Sequence, residues 1–363
     1  MDKISILISA PLIAIGGITT HIFSLVNILG KHNFNIVIVG VTDLKQKDIE
    51  FLKHLNINIL GVPYHANKYV NYFSKFNLIM KSYFRLFQKS FHIIYSNGWG
   101  NIHSYFKPFL REGGKFIFHQ HGEHNINGFL KFHRTIESAD IIIVNSETIA
   151  DATKRDLSTN IPVYILPPLH GIKTHPTPPK DFPVHHTGIL RVAYVGRLVP
   201  GKGIERLLEA WKLAGLEKAE LHFYGCGDLE KDIVRFRERN KLNNIYLKGV
   251  FERSRLNEVF SNNDLIALFS DSEGVALSLI EGLAYGIPFV ATKVGGIPYV
   301  ASKLNGVILV DKTIESCAMG LKKMAELIKN NEIDRLSLYN YFCKEWAMEV
   351  LEKKWLEFFN TIL

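Results

Sequence analysis

Two carboxylates eight positions apart, Glu273 and Glu281, bracket a glycine, an apolar run and a helix start in Ser272-Glu-Gly-Val-Ala-Leu-Ser-Leu-Ile-Glu-Gly-Leu-Ala-Tyr-Gly-Ile-Pro. Gly274 predicts a tight turn after Glu273, and the amides of Val275, Ala276, Leu277 and Ser278 predict an unpaired helix N-terminus. Free N–H groups at that place suit a diphosphate. Glu281 falls one to two turns further on. Ionised carboxylates accept hydrogen bonds from neutral hydroxyls, so the pair is suited to holding a ribose and a pyranose with the charged group between them. Two acids at this spacing alone read more readily as a solvated helix surface; the glycines and the apolar context reverse that for this pair.

A second loop, Val195-Gly-Arg-Leu-Val-Pro-Gly-Lys-Gly, ends a strand and places Arg197 and Lys202 just before a helix. Arginine forks onto phosphate oxygens and lysine acts as a mobile point charge, so together they can offset charge building on a departing diphosphate. Tyr224-Gly-Cys-Gly-Asp has glycines that permit close approach of a ligand, which points to Gly225. Gly16 and Gly17 lie between the first strand and the helix after it, where they read by themselves as a plain βα turn. The Lys-Ser/Thr ending of a P-loop is absent there. Phe116-Ile-Phe-His-Gln-His-Gly-Glu-His brings His119, His121 and His124 close together, and with Glu123 they could alternatively ligate zinc.

The acidic pair, Glu-Gly-Leu-Ala, Gly-Ile-Pro and the later Gly-Gly-Ile-Pro ending at Pro298 resemble the Glu-x7-Glu signature of retaining GT-B glycosyltransferases, in particular glycosyltransferase family 4. Gly196-Arg-Leu and Lys202-Gly look like a further motif of that family. The resemblance implies two Rossmann-like domains facing each other across a cleft and a metal-independent hexosyltransferase without a protein nucleophile. It implies a nucleotide-sugar donor as co-substrate, with no further cofactor. Arg197 and Lys202 would neutralise the diphosphate, Gly16, Gly17, Gly274, Val275, Ala276 and Leu277 would line it, and Gly225 and Val250 would lie near the nucleoside. Glu281 would hold the ribose, Glu273 the donor sugar, and His121 the sugar near its reacting carbon. Pro167-Pro-Leu-His-Gly departs from the Pro-Asn-Gly common before the family's linker, and Gly274-Val-Ala-Leu-Ser departs from its Gly-Phe-Gly, so contacts made by those family residues do not carry across.

The positioning elements follow from hydrophobic patterning. Short β-rich runs alternate with amphipathic stretches, as a parallel α/β sheet requires. Residues 1–170 read as one Rossmann-like domain and the proline-rich 171–188 as a linker. Residues 189–344 read as a second such domain, and 345–363 as a helix whose aromatic face suits docking on the first. A Tyr69–Lys89 helix combines aromatic and basic positions, which fits either packing on a sheet or lying on an anionic membrane.

The 363 residues are 47% hydrophobic and 21% charged, as in globular enzymes. The net charge is +8, with the excess mainly N-terminal, and no nucleic-acid module accompanies it. Cys226, Cys317 and Cys343 have neither metal spacing nor an even count, so a reduced compartment is expected. Ile4 to Gly17 reads as a buried strand and glycine turn rather than a signal peptide, and no run is long enough to span a membrane. The expectation is sugar transfer from a UDP- or GDP-sugar to a glycan or lipid-linked glycan, for polysaccharide, lipopolysaccharide or related glycoconjugate synthesis, in the cytoplasm, either free or peripheral on the inner face of the cytoplasmic membrane. A sugar-nucleotide epimerase and a non-catalytic sugar-nucleotide or glycan binder are the alternatives. A nicotinamide dehydrogenase is disfavoured because no Gly-x-Gly-x-x-Gly loop follows the first strand.

Overall fold

The computed structural model describes residues 3–13, 17–44, 46–63, 68–97, 100–122, 133–157, 160–172, 188–301 and 304–363. They fall into two compact units, Met1–Gly171 with Leu351–Leu363, and Ile172–Val350. Most of the predicted linker, 173–187, lies outside the described residues, as do Gly16, Glu123 and His124.

Unit 1 is built on a parallel sheet of β1 (Ile4–Ser9), β2 (Leu12–Ile13), β3 (Phe34–Asp43), β4 (Asn58–Pro63), β5 (Phe91–Asn97), β6 (Leu110–Gln120), β7 (Ile141–Val144) and β8 (Val163–Ile165). The order is β2-β3-β1-β5-β6-β7-β8, with β4 also on β3. Register pairs Ile6 of β1 with Ile36 on one side and Ile93 on the other. Central runs such as Ile6-Leu7-Ile8 and Ile141-Ile142-Ile143 are apolar on both faces because helices cover both sides of a parallel sheet.

Unit 2 repeats the design with β9 (Leu190–Val195), β10 (Ala219–Tyr224), β11 (Ile245–Gly249), β12 (Leu265–Leu268), β13 (Phe289–Thr292) and β14 (Val307–Val310). Its order, β11-β10-β9-β12-β13-β14, is wholly parallel and doubly wound. Helices Ile204–Ala214 and Ile314–Lys329 bury Leu207, Trp211, Cys317 and Leu321 against it.

The predicted helix over 345–363 is corrected. One helix ends at Glu345 and the next runs Met348–Ile362, so the chain breaks helical geometry at Trp346-Ala347. Trp346 sits edge-on to Tyr299 in unit 2. Trp355, Phe358 and Phe359 are buried in unit 1, where Trp355 Nε1 donates to the Pro167 carbonyl at 2.9 Å. An apolar pattern that runs on unbroken in sequence thus serves two cores.

Candidate functional site

In unit 2 the chain reverses direction of winding between β9 and β12, and ligands of doubly wound sheets bind beyond the carboxyl ends of strands at such a point. The loops carrying Arg197, Lys202, Glu273 and Gly274 all leave those two strands. Asp271 N donates to the Gly201 carbonyl at 2.9 Å and joins the two loops, and Gly296 N, in the loop after β13, donates to the Gly274 carbonyl at 2.6 Å. The chain bends at Gly274 as expected, without a left-handed φ there; the left-handed conformation falls on Gly295, with φ +51°. A Cβ at Gly295 would lie 1.7 Å from the Glu273 carbonyl oxygen, so glycine there fixes where Glu273 begins. Gly225 has a similar structural reason, since its Cβ would stand 1.9 Å from the Gly196 carbonyl oxygen.

These loops bring Lys202 and Glu273 together. Lys202 Nζ and Ser270 Oγ both donate to Glu273 Oε1 at 2.7 Å. The two charged side chains are 24% and 11% exposed, so the pair is largely screened from water. Tyr194 donates its hydroxyl to the Arg197 carbonyl at 2.8 Å. Its phenol is raised first by burial and then by the Glu273 charge, with Arg197 opposing, so one hydroxyl senses both charges. Arg197 itself is exposed.

Glu281 lies in the short helix Leu277–Leu283 and is 4% exposed. Arg253 Nη2 donates to Glu281 Oε1 at 2.6 Å. Burial raises the carboxyl's pKa while the guanidinium pulls it back. Each of the two predicted hydroxyl-holding carboxylates therefore carries a cation. Val275 and Ala276 are buried just before the helix and Leu277 is partly buried; in its first turn the Leu279 N–H already donates to the Ala276 carbonyl at 3.1 Å. Val250 is exposed and lines a different recess, about 390 Å³ with Arg191, Tyr224, Lys248 and Phe251, which does not include Lys202, Glu273 or Glu281.

In unit 1, Gly17 opens the helix Gly17–Lys31 and is exposed. His119 is buried inside β6, and His121 follows the strand's end partly buried. Asn97, His121 and Asn145 follow or end three neighbouring strands, β5, β6 and β7, in a row. Their rings and amides join a directed chain. Leu169 N–H donates to His21 Nδ1 at 3.1 Å, which leaves the proton on Nε2 to be donated to the Tyr95 hydroxyl at 3.0 Å. Tyr95 then donates to His119 Nδ1, and His119 Nε2 donates to Asn145 Oδ1 at 2.7 Å. Asn145 Nδ2 reaches His121 Nδ1 at 3.3 Å, and His121 Nε2 donates to Asn97 Oδ1.

Burial lowers the His21 imidazole well below its ordinary value, with a lesser contribution from His119. Burial likewise lowers His119 to about 4, against a smaller upward pull from Asn145. Both rings are neutral near pH 7, as the chain requires. Among the described residues no group of three His, Cys, Asp or Glu is arranged to hold a metal ion.

Arg253, Ser270, Tyr95, Asn97 and Asn145 escaped the reading of the sequence. The signal available for Ser270, Asn97 and Asn145 was their place: a polar residue at or within two positions of the carboxyl end of an apolar parallel strand lies at the ligand-facing rim. Arg253 carried no such signal.

Residues 183–340 match the model of the family described as Glycosyl transferases group 1. An uncharacterized glycosyltransferase of Methanocaldococcus jannaschii is 27% identical over 341 residues, covering 88% of this chain and 86% of the relative. The sucrose-phosphate synthase of Thermosynechococcus elongatus is similar in structure with a TM-score of 0.80 at 14% identity over 99% of each chain. HepE of Anabaena, solved with UDP and glucose, has a TM-score of 0.77 at 16% identity over 99% of this chain and 100% of that one. At those identities the structural likeness shows the fold, which is GT-B. Together the matched segment and the fold support a GT-B glycosyltransferase of the group 1 type.

Proposed function

We propose that the chain is a retaining, metal-independent glycosyltransferase of family 4 that takes a nucleotide-activated hexose, UDP- or GDP-linked, and passes it to a glycan or lipid-linked glycan. The observation that carries this reading is the screened Lys202–Glu273 pair, held by Ser270 at the winding reversal of unit 2 beside the exposed Arg197. Lys202 would exchange its carboxylate partner for the donor's diphosphate, which frees Glu273 to accept from sugar hydroxyls. Arg197 would add a forked contact to the same phosphates. Glu281 would take the ribose, and His121 is assigned to the donor sugar by resemblance.

In the proposed step the acceptor hydroxyl oxygen bonds to the sugar's anomeric carbon on the face the diphosphate leaves. The carbon–oxygen bond to the diphosphate breaks with its electron pair, and the leaving phosphate oxygen takes the hydroxyl proton. Configuration is retained, and Arg197 and Lys202 stabilise the released charge. The UDP and glucose bound by HepE make a UDP-hexose the first donor to try.

The test is nucleotide release from UDP-, GDP- and ADP-sugars with and without lipid-linked acceptors. Transfer predicts acceptor-dependent release, unchanged by chelator. An altered nucleotide sugar formed without acceptor would instead indicate an epimerase, and binding without turnover a non-catalytic protein.

A further inference from the structure

The helix Lys68–Leu86 of unit 1 hides only part of its apolar surface. Among its described side chains, Leu78, Ser82 and Leu86 are buried at 2%, 0% and 1% exposure. On the other side Phe76, Met80 and Phe84 follow one another at four residues, a single stripe at helical spacing, and Phe87 follows in the turn just past the helix end. They are 58%, 55%, 88% and 75% exposed. Three phenylalanines and a methionine exposed along this stripe and the turn after it exceed the scattered apolar residues normal on a surface and mark an interaction site.

Charge identifies the occupant. From Phe51 to Arg111 the chain has eight lysines and arginines and no aspartate or glutamate. Removing those eight from the 43 basic residues leaves 35, equal to the 35 acidic residues elsewhere, so this stretch holds the molecule's whole excess. Lys81 and Arg85 border the stripe and are exposed, and Lys89 and Lys107 are exposed nearby in sequence. A groove of about 430 Å³ between β4 and this helix is lined by Leu60, Leu78 and Met80 with Lys81 and Arg85.

We infer that this face is a docking surface for an anionic lipid bilayer, with the helix lying in the plane of the headgroups. Phenylalanine and methionine enter the acyl boundary while the cations remain at phosphate level, the arrangement of interfacial amphipathic helices. Among the described residues no helix is long and apolar enough to cross a membrane, so the contact is peripheral. The inference stands apart from sugar transfer, because it rests on no residue assigned to the donor.

The test is sedimentation of the full chain with vesicles of phosphatidylcholine alone and of equal parts phosphatidylcholine and phosphatidylglycerol, at low and high salt. Binding is expected only to the anionic vesicles and should weaken as salt screens the cations. Lys81→Ala with Arg85→Ala should lower the partition about thirtyfold, at roughly fivefold per cation. Phe84→Ser with Phe87→Ser should lower it by roughly tenfold or more. Both variants change exposed side chains, so melting midpoints and UDP-sugar binding should match the wild type. Equal binding to neutral and anionic vesicles, no loss in either variant, retention of an RNA homopolymer in place of vesicles, or a dimer that the phenylalanine variant dissolves would each overturn the inference.

Discussion

The two sheets are built alike yet keep their polar residues in opposite electrostatic states. Around the carboxyl-terminal ends of β5, β6 and β7 in unit 1 a buried run of neutral groups, His21 of the first helix, Tyr95 and His119 of the strands and Asn145, passes hydrogen bonds in one direction to His121. Beyond the strand ends of unit 2 the same topological position holds ion pairs, Lys202 with Glu273 and Arg253 with Glu281. The difference teaches how each region can respond to a ligand. From His21 to His121 each ring and phenol donor of the neutral chain is matched to an acceptor, so it acts as a rigid frame, with only Asn97 Nδ2 at its end lacking a partner. An ion pair near water has a mobile cation that an incoming anion can capture.

The contrast is broken most severely by removing the mobile cation. Lys202→Ala should lower nucleotide release from the donor roughly hundredfold, with a small change in melting midpoint, measured by coupled nucleotide assay and calorimetry. Glu281→Gln should weaken donor binding comparably in titration calorimetry while preserving stability, because it removes a charge that burial disfavours.

In unit 1 the expected effect falls on stability instead. Tyr95→Phe leaves His21 Nε2 and His119 Nδ1 without their shared hydroxyl in a fully buried site, costing about 2–4 kcal/mol of unfolding free energy. Donor affinity measured on the folded variant should be unchanged; a drop as large as that of Lys202→Ala would erase the distinction between frame and responsive pair. Arg253→Ala is milder. It strands the buried Glu281, but Arg253 is 44% exposed, so water takes over part of its role and the cost is about 1–2 kcal/mol in a denaturant titration.

The smallest effect is expected from pH at two single groups, one in each unit, that act in opposite directions. His119, at about 4 in the folded unit against an ordinary 6.5, contributes stability that is complete above 6.5 and is lost as pH falls through 4. Asp264 of unit 2 is raised by burial from 3.8 to about 6, so its contribution is complete below 3.8 and is lost as pH rises through 6. Each is on the order of 3 kcal/mol. Between pH 6 and 4, His119→Gln should flatten the acid loss, and Asp264→Asn should flatten the opposite gain, in thermal melts.

Much of the fold was legible because its signals are local. Ile4–Ser9, Ile141–Val144 and Leu265–Leu268 are apolar on both faces, which only a helix-covered parallel strand explains. The short strands β2 and β8 and the strand β4, which contains Gly61 and ends in Pro63, lacked that signature and were missed. The loops of the candidate site were visible too, since Arg197, Lys202 and Glu273 lie beside glycines that sequence alone marks as turns.

The partners of those residues were not visible. Arg253 meets Glu281 across 28 positions and His21 meets Tyr95 across 74, distances over which no periodicity relates one residue to the other. Amino-acid order by itself determined the strands, the glycine loops and which carboxylates and cations stand at their ends, because these depend on neighbours along the chain. Only the tertiary structure decided which cation each carboxylate holds, that the histidines form a neutral hydrogen-bonded chain, and that Phe76, Met80, Phe84 and Phe87 face outward. Those outcomes depend on which surfaces remain once each sheet has chosen its covering helices.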